Sequence, residues 1–496
     1  MAFMTFKGDK GVYTMIAIPF VNNPPLSRIT EGDMVNLERH RKHGSVIRQI
    51  TFSNPFVRNI IITNPDLLRA IFVGKDWERY TRYHPLAEPF VPISGGLIHQ
   101  ANGKEWREAR ELFSKTFSTV SVRQYMPIIH EHVQVLLDQL AKENAGNPSG
   151  FDVQTIYNLY TFDVISRLVF GASVDSLRTR DRRYITAWDK GLGVASLRVA
   201  LGFLLGGGTT WSVEMRDKLF PGLKEQFDEH YKIIDDLIGT HIDRAQSGKD
   251  DGTRSILDDT LRSEKLPEWM SNAELKKQVI ALVFAGHDTT GGTLTFATYE
   301  LSRSPSWQKT VRQEIQDLRK SLSLPETALL PLEPLDGCKN LNAVIKETLR
   351  MYPAAPNGAG RVVKEDFVVP YVDTLTGEHK SVEFRKNDMV SPFVMGAGRS
   401  SENFLRPETW DPQRWIDDAT GNGGAINPFA NSPFGNGARK CLGERLALAQ
   451  LRVVLASILE KWDIGFCDNY KFIVASQGTI KAGNGVNIKL LPISAK

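Results

Sequence analysis

The chain reads as a mainly α protein with a smaller β region, built as one large domain. Three observations predict this. Helical periodicity dominates from Pro65 onward. Runs rich in β-branched residues gather in an early stretch, residues 44–64, and in a later one, residues 365–395, with further strand-like runs near the C-terminus. Although 496 residues would suit about three domains by length alone, no long Gly/Ser or Pro linker divides the chain.

In chain order, residues 29–43 have a helical pattern, and residues 45–52 and 56–63 have the composition of paired strands. Residues 83–101 and the glycine-rich residues 201–210 lack a period and read as loops, either lids or plain surface connections. Helical patterns cover residues 103–117, 154–170, 224–245, 271–303, 306–322 and 341–352, so that a helical core occupies residues 103–352. Ser271 with Glu274 has the spacing of a capping box, and the helix it opens is about 45 Å long at 1.5 Å per residue. Its middle, residues 279–285, is apolar on nearly every face and is expected to be buried all round. Strand-like runs return at 367–372, at 381–384 and near the C-terminus, while residues 407–437 are irregular.

Hydrophobic content of 41% and charged content of 24% are those of a globular protein with a sizeable core. The net charge is +4, with 61 basic against 57 acidic residues and no aromatic-basic stripe, so nucleic acid is set aside as a partner. Three cysteines, Cys338, Cys441 and Cys467, form neither a disulfide framework nor a zinc pair, which implies a reducing, intracellular compartment. Residues 14–21 are apolar but contain Pro19 and fall short of the roughly 20 residues of a membrane span. No transmembrane anchor is expected. No glycine-rich dinucleotide fingerprint follows a strand, so a flavin or nicotinamide module is not expected in this chain.

Chemistry concentrates in residues 434–443, Phe-Gly-Asn-Gly-Ala-Arg-Lys-Cys-Leu-Gly. A thiolate that ligates iron needs backbone N–H donors aimed at its sulfur and an approach free of Cβ atoms, which Gly435 and Gly437 can supply around Cys441. Arg439 is placed to grip a carboxylate on the bound group, and Phe434 to cover the sulfur. An amphipathic pattern over residues 442–462 puts Cys441 at a helix N-terminus, where the dipole favours a thiolate. The bland alternative, a small buried cysteine in a turn, does not account for these neighbours.

In the long helix, Ala285-Gly286-His287-Asp288-Thr289-Thr290-Gly291-Gly292 gathers polar residues at a buried place. Small residues there leave room, and a threonine can draw its i−4 carbonyl from the ladder to open a groove for a diatomic ligand. An internal cap or break between two helices is the duller reading. Glu347 and Arg350 are three apart on one helix face and can pair, as can many surface residues. Trp106 and Arg110 are four apart, hence also on one face.

The cysteine run resembles the heme-binding signature of the cytochrome P-450 family, in a eukaryotic-type, fungal-like form. The Ala-Gly-x-Asp-Thr-Thr run, Glu347 with Arg350, and residues 406–415 with Arg414 occur in the family's order. The resemblance runs from the Trp106 helix through Gly443. It implies the P-450 fold, a single domain over residues 1–496 with a buried heme b, and Cys441 as the axial thiolate. It implies that Thr289 and Asp288 deliver protons in oxygen activation, and that Glu347, Arg350 and Arg414 form a buried network holding the cysteine loop. Trp106, Arg110, Arg361 and Arg439 would hold the heme propionates, with His99 a weaker candidate, while Phe434, Gly435 and Gly443 shape the loop.

By the same resemblance the chain is a monooxygenase that inserts one atom of O2 into a lipophilic small molecule, in secondary-metabolite or lipid metabolism. Electrons come from NADPH through a separate cytochrome P-450 reductase or similar donor, and Arg107, Lys115, Lys440 and Arg445 make a basic face for it. The pocket would draw on residues 83–100, 201–221, 354–360 and 476–481 and the front of the long helix. A monomer is expected, cytoplasmic or in peripheral contact with the endoplasmic reticulum. Eukaryotic members usually begin with an anchor, from which this chain departs. A heme-thiolate isomerase or dehydratase and a gas-binding heme protein are the alternatives; neither needs the Asp288-Thr289 pair. His287 faces the pocket or is a satisfied core histidine.

Overall fold

A computed structural model of the chain describes residues 2–7, 13–18, 32–51, 54–74, 76–82, 88–204, 212–247, 255–263, 266–358, 360–373, 376–416, 426–467, 472–476 and 478–493. Helices dominate these residues. The strands are β1 (Ala2–Lys7), β2 (Tyr13–Ile18), β3 (Val46–Thr51), β4 (Asn54–Ile62), β5 (Tyr80–Thr81), β6 (Phe151–Asp152), β7 (Arg361–Val363), β8 (Phe367–Val372), β9 (His379–Phe384), β10 (Met389–Pro392), β11 (Trp462–Phe466), β12 (Val474–Ser476), β13 (Ile480–Ala482) and β14 (Asn487–Pro492). Seven form one sheet in the order β1-β2-β3-β4-β10-β7-β5, in which β4 and β10 run parallel and β10 and β7 antiparallel. The early β-rich stretch thus joins the late one through β10, while β8 and β9 of the late stretch pair with each other as a separate two-stranded sheet.

The apolar run at residues 14–21 belongs to this sheet through β2, which pairs with β1 and β3, and its residues 19–21 lie outside the described ones. No helix among the described residues is long and apolar enough to cross a membrane. The sheet packs on the helix Pro65–Phe72 through Ile60, Ile62, Leu67, Leu68 and Ile71. Asn64 starts that helix by accepting the N–H groups of Asp66 and Leu67.

The long helix runs unbroken from Asn272 to Ser302, so the alternative of two helices with an internal break does not hold. Val279, Ile280, Ala281 and Val283 are buried as expected. Only half of the capping box forms. Ser271 Oγ accepts the Glu274 N–H at 3.3 Å, whereas the Glu274 carboxylate pairs with Lys277. The main partner of the long helix is the helix Val153–Phe170, nearly every residue of which is buried. A Cβ on Gly286 would fall 2.5 Å from Ile165 and one on Gly291 2.3 Å from Asn158 Oδ1. Both glycines allow a close helix-helix approach, and Gly286 also lines the cavity described below. That corrects the reading of all the small residues as room for a ligand.

Residues 83–101 are less irregular than expected. Beyond residue 87 they form the short turns Glu88–Phe90, Val91–Ser94 and Gly96–His99, too brief to leave a period in the sequence; residues 83–87 lie outside the described ones. This segment lies on the long helix at Gly95, whose φ is +84° and whose Cβ would meet the Ala281 backbone at 2.4 Å. Of the expected loop at 201–210, residues 201–204 end the helix Arg183–Leu204, and 205–210 lie outside the described residues.

Candidate functional site

Cys441 precedes the helix Glu444–Lys461 by three residues, and its N–H donates to Phe434 O at 2.9 Å, closing the loop around the sulfur. The side chain is exposed and lines a cavity of about 600 Å³. Burial pushes the thiol up, while the N–H groups of Gly443 and Glu444 and the charge of Arg110 act in the opposite direction. Gly435 has φ +67° and open space where a Cβ would lie, as a group seated over the sulfur requires. Gly437 has a different reason for being glycine. At φ +68°, its Cβ would meet Phe72 O at 2.1 Å, so it packs the loop on the neighbouring helix and does not clear a path to the sulfur. Phe434 and Gly443 both line the cavity.

The helix Lys104–Ser114 brings Trp106 and Arg110 to the cavity, and β7 brings Arg361. Arg439 lies over the Trp106 ring at 3.8 Å and is held by the Asn102 side chain and Gln100 O. Arg110 donates to Lys440 O at 2.6 Å. A fourth guanidinium, Arg82, lines the same wall. Sequence reasoning missed it because a lone arginine after a strand carries no signal, and only the approach of β5 to β7 brings it there.

Burial first, then mutual repulsion, pulls these cations down: Arg439 to about 9 and Arg82 well below its ordinary value. Burial likewise lowers Arg361 to about 10. Arg82, Arg110 and Arg439 enter no ion pair among the described residues, and Arg439 Nη1 is buried without a protein acceptor among them. Such a cluster fits a ligand that brings its own negative charges. His99 also lines the wall. Burial and the nearby Arg82 lower it to about 3, so it is neutral there and meets Ser94 Oγ at 2.7 Å.

Across the cavity stand Ala285, Gly286, Thr289, Thr290 and Thr293 of the long helix. Thr289 Oγ donates to Ala285 O at 2.8 Å, the i−4 bond expected. Asp288 is 3% exposed and does not reach the cavity. Its carboxylate accepts from Lys481 Nζ at 2.7 Å and from the Thr479 hydroxyl. Asp288 and Thr289 are thus neighbours in sequence that point to different places. His287 is buried among Phe162, Trp188 and Phe284, with Nδ1 on Val283 O, which resolves it as a core histidine.

Behind the cysteine loop, Glu347 and Arg350 are wholly buried and joined by two bonds of 2.8 Å. Arg414 donates to Glu347 Oε1 at 3.0 Å, and Trp415 Nε1 and the Asp411 N–H add two more bonds. Arg350 also donates to the carbonyls of Gly398, Pro407 and Thr409. The trio is one network. Of the basic face, Arg107, Lys115 and Arg445 are exposed, while Lys440 pairs with Glu444.

A family model described as cytochrome P450 matches residues 17–478. The chain belongs to the cytochrome P450 family. Cytochrome P450 3A31 of Mesocricetus auratus is 27% identical over 438 residues, spanning 87% of this chain and 81% of that protein. Cytochrome P450 3A18 of Rattus norvegicus is 25% identical, spanning 86% and 82%. Cytochrome P450 3A1 of Rattus norvegicus is 25% identical, spanning 92% and 86%.

As a P450, the chain is a heme-thiolate monooxygenase using O2, with reducing equivalents of NADPH reaching it through a redox partner. The cavity fits that cofactor: a single thiol stands on one side, Arg82, Arg110 and Arg439 on the wall without a carboxylate partner among the described residues, and a hydroxyl-bearing helix opposite.

Proposed function

We propose that this P450 oxidises a lipophilic small molecule of lipid or secondary metabolism, with electrons from a separate NADPH-dependent reductase. The observation that carries this reading is the one cavity shared by Cys441, the arginine wall and Thr289. Phe90, Leu97, Ile98, Leu282 and Phe284 give the part of it beyond the cysteine an apolar lining, which suits an apolar substrate.

When bound, heme activates O2 so that one atom enters the substrate and the other leaves as water. Cys441 would hold the iron. Arg82, Arg110, Arg361 and Arg439 would neutralise the two propionates, with Trp106 as the surface on which Arg439 lies. Thr289 is the hydroxyl on the reacting side, and Asp288 the acid behind it. Glu347, Arg350 and Arg414 brace the segment that leads into the cysteine loop. Exposed Arg107, Lys115 and Arg445 form the face for an acidic redox partner. One apolar core runs through residues from Ile93 to Leu490 and a second lies under the β-sheet, and we take both as parts of a single P450 domain.

The test is the optical spectrum of the dithionite-reduced protein with and without carbon monoxide. A strongly red-shifted Soret band is expected; heme with an unshifted band would remove Cys441 as the ligand. With that band in hand, substrate screening with a reductase, read as NADPH consumed per product, tests the substrate class.

A further inference from the structure

The acid of the long helix is held by groups that no local motif announces. β12 and β13 form a hairpin whose turn carries Gly478 and Thr479 on the cavity wall and Lys481 just behind. The hairpin is fixed from two sides: Gln154 exchanges bonds of 3.1 and 2.9 Å with the Ala482 backbone, and the Ile480 N–H donates to Ala354 O. Lys481 reaches from this base to two carboxylates on different helices, Asp288 of the long helix and Asp189 of Arg183–Leu204. Side-chain exposure falls along this chain, from 39% at Asp189 to 15% at Lys481 and 2% at Asp288.

We propose that Lys481 is a positioning residue for Asp288. It holds the carboxylate against Thr479 of the cavity wall and away from Thr289, and it ties that carboxylate to the cavity roof through Asp189. The inference rests on the reading of Asp288 as the acid that handles protons. Asp189 stands three residues before Leu192, which lines the cavity, so a substrate that moves the roof changes how Lys481 is shared between its two carboxylates. Thr479 is then the hydroxyl that the acid touches.

Other groups near Asp288 do not replace Lys481. His287 on the same helix is held low by burial, and Thr479 donates but carries no charge. Burial would raise Asp288; Lys481, chiefly, keeps it below the usual carboxylate range. Without that ammonium, burial is left less opposed and the carboxyl moves upward, toward its protonated form.

Lys481→Met and Lys481→Gln test this, the amide keeping hydrogen bonds if the apolar variant fails to fold. The first readout is the infrared band of a protonated carboxyl group in substrate-free protein. It is expected to be absent in the parent at neutral pH, present in either variant, and lost again when Asp288→Asn is added. The second is the pH profile of product formed per NADPH, whose acid limb should move to higher pH in the variants and return with Lys481→Arg. If a variant with a normal reduced carbon monoxide spectrum shows neither the band nor the shift, Lys481 does not position the acid. Asp288→Asn alone separates the two claims. Unchanged coupling there would sink the acid reading itself, whereas uncoupling there beside a parent-like Lys481→Met would sink only the role of Lys481.

Discussion

Two groups of arginines, Arg350 with Arg414 and Arg82 with Arg110 and Arg439, are in opposite states. Arg350 and Arg414 meet Glu347 and a ring of backbone carbonyls, so their network is complete within the protein. Arg82, Arg110 and Arg439 meet carbonyls, an amide, an aromatic face and one another, but no carboxylate among the described residues. The same side chain is answered by a protein carboxylate in the first place and, among the described residues, by none in the second; we propose that it is a brace in the one and a receptor in the other. Desolvating a cation costs several kcal/mol unless an anion answers it. A buried cluster left with too few protein anions therefore marks where an anionic ligand belongs.

The comparison can be broken most directly at Glu347. Glu347→Ala strands two buried guanidinium groups and should cost about 3 to 5 kcal/mol of stability, read as a lower denaturation midpoint and loss of heme uptake; a midpoint like the parent's would show that the network is not a brace. Arg439→Leu should do the reverse. Removing one of several repelling cations should leave the heme-free protein as stable or more so. Loss of a charge-assisted bond worth about 1.5 to 3 kcal/mol should weaken heme binding by about tenfold to a hundredfold. Equal destabilisation of the heme-free protein would erase the distinction between the two groups.

Cys441→Ala removes no hydrogen bond of either group. It should keep the fold and lose the red-shifted band, and a variant with an unchanged spectrum would refute thiolate ligation. Acid sharpens the contrast further. Burial would raise Glu347, but the bonds and charges of Arg350 and Arg414 outweigh it and hold the carboxylate below its ordinary 4.5. Its contribution to stability is therefore present above that pH and lost as pH falls through the lower folded value, a dependence that Glu347→Gln should remove from acid unfolding curves. The smallest effect on structure is expected from Thr289→Ala, which should keep heme uptake and divert NADPH into hydrogen peroxide; unaltered product per NADPH would take Thr289 out of the reaction.

What was legible in the sequence was local. Residues 434–443 hold Cys441, the turn glycines and Arg439 within ten positions, and Thr289 with its i−4 carbonyl lies within one helical turn. Glu347 and Arg350 were legible as a pair, although their spacing alone could not separate a buried pair from a surface one. Gly291 was misread because a glycine that makes space, as Gly286 does on the cavity wall, and a glycine that only lets two helices approach look alike in one dimension. Arg82 was invisible for a related reason, since it becomes a site residue only when the β-sheet sets it beside Arg361.

The sequence by itself determined the helical periods, the thiolate loop and the order of the polar runs, because each depends on residues a few positions apart. Tertiary structure alone decided which charges are answered. Asp288 follows the spacing of its motif, yet its carboxylate belongs to Thr479 and Lys481, far along the chain. Desolvation makes that choice of partner compulsory: once the helix is buried on every face, a carboxylate must turn to whichever cation the fold has carried within reach.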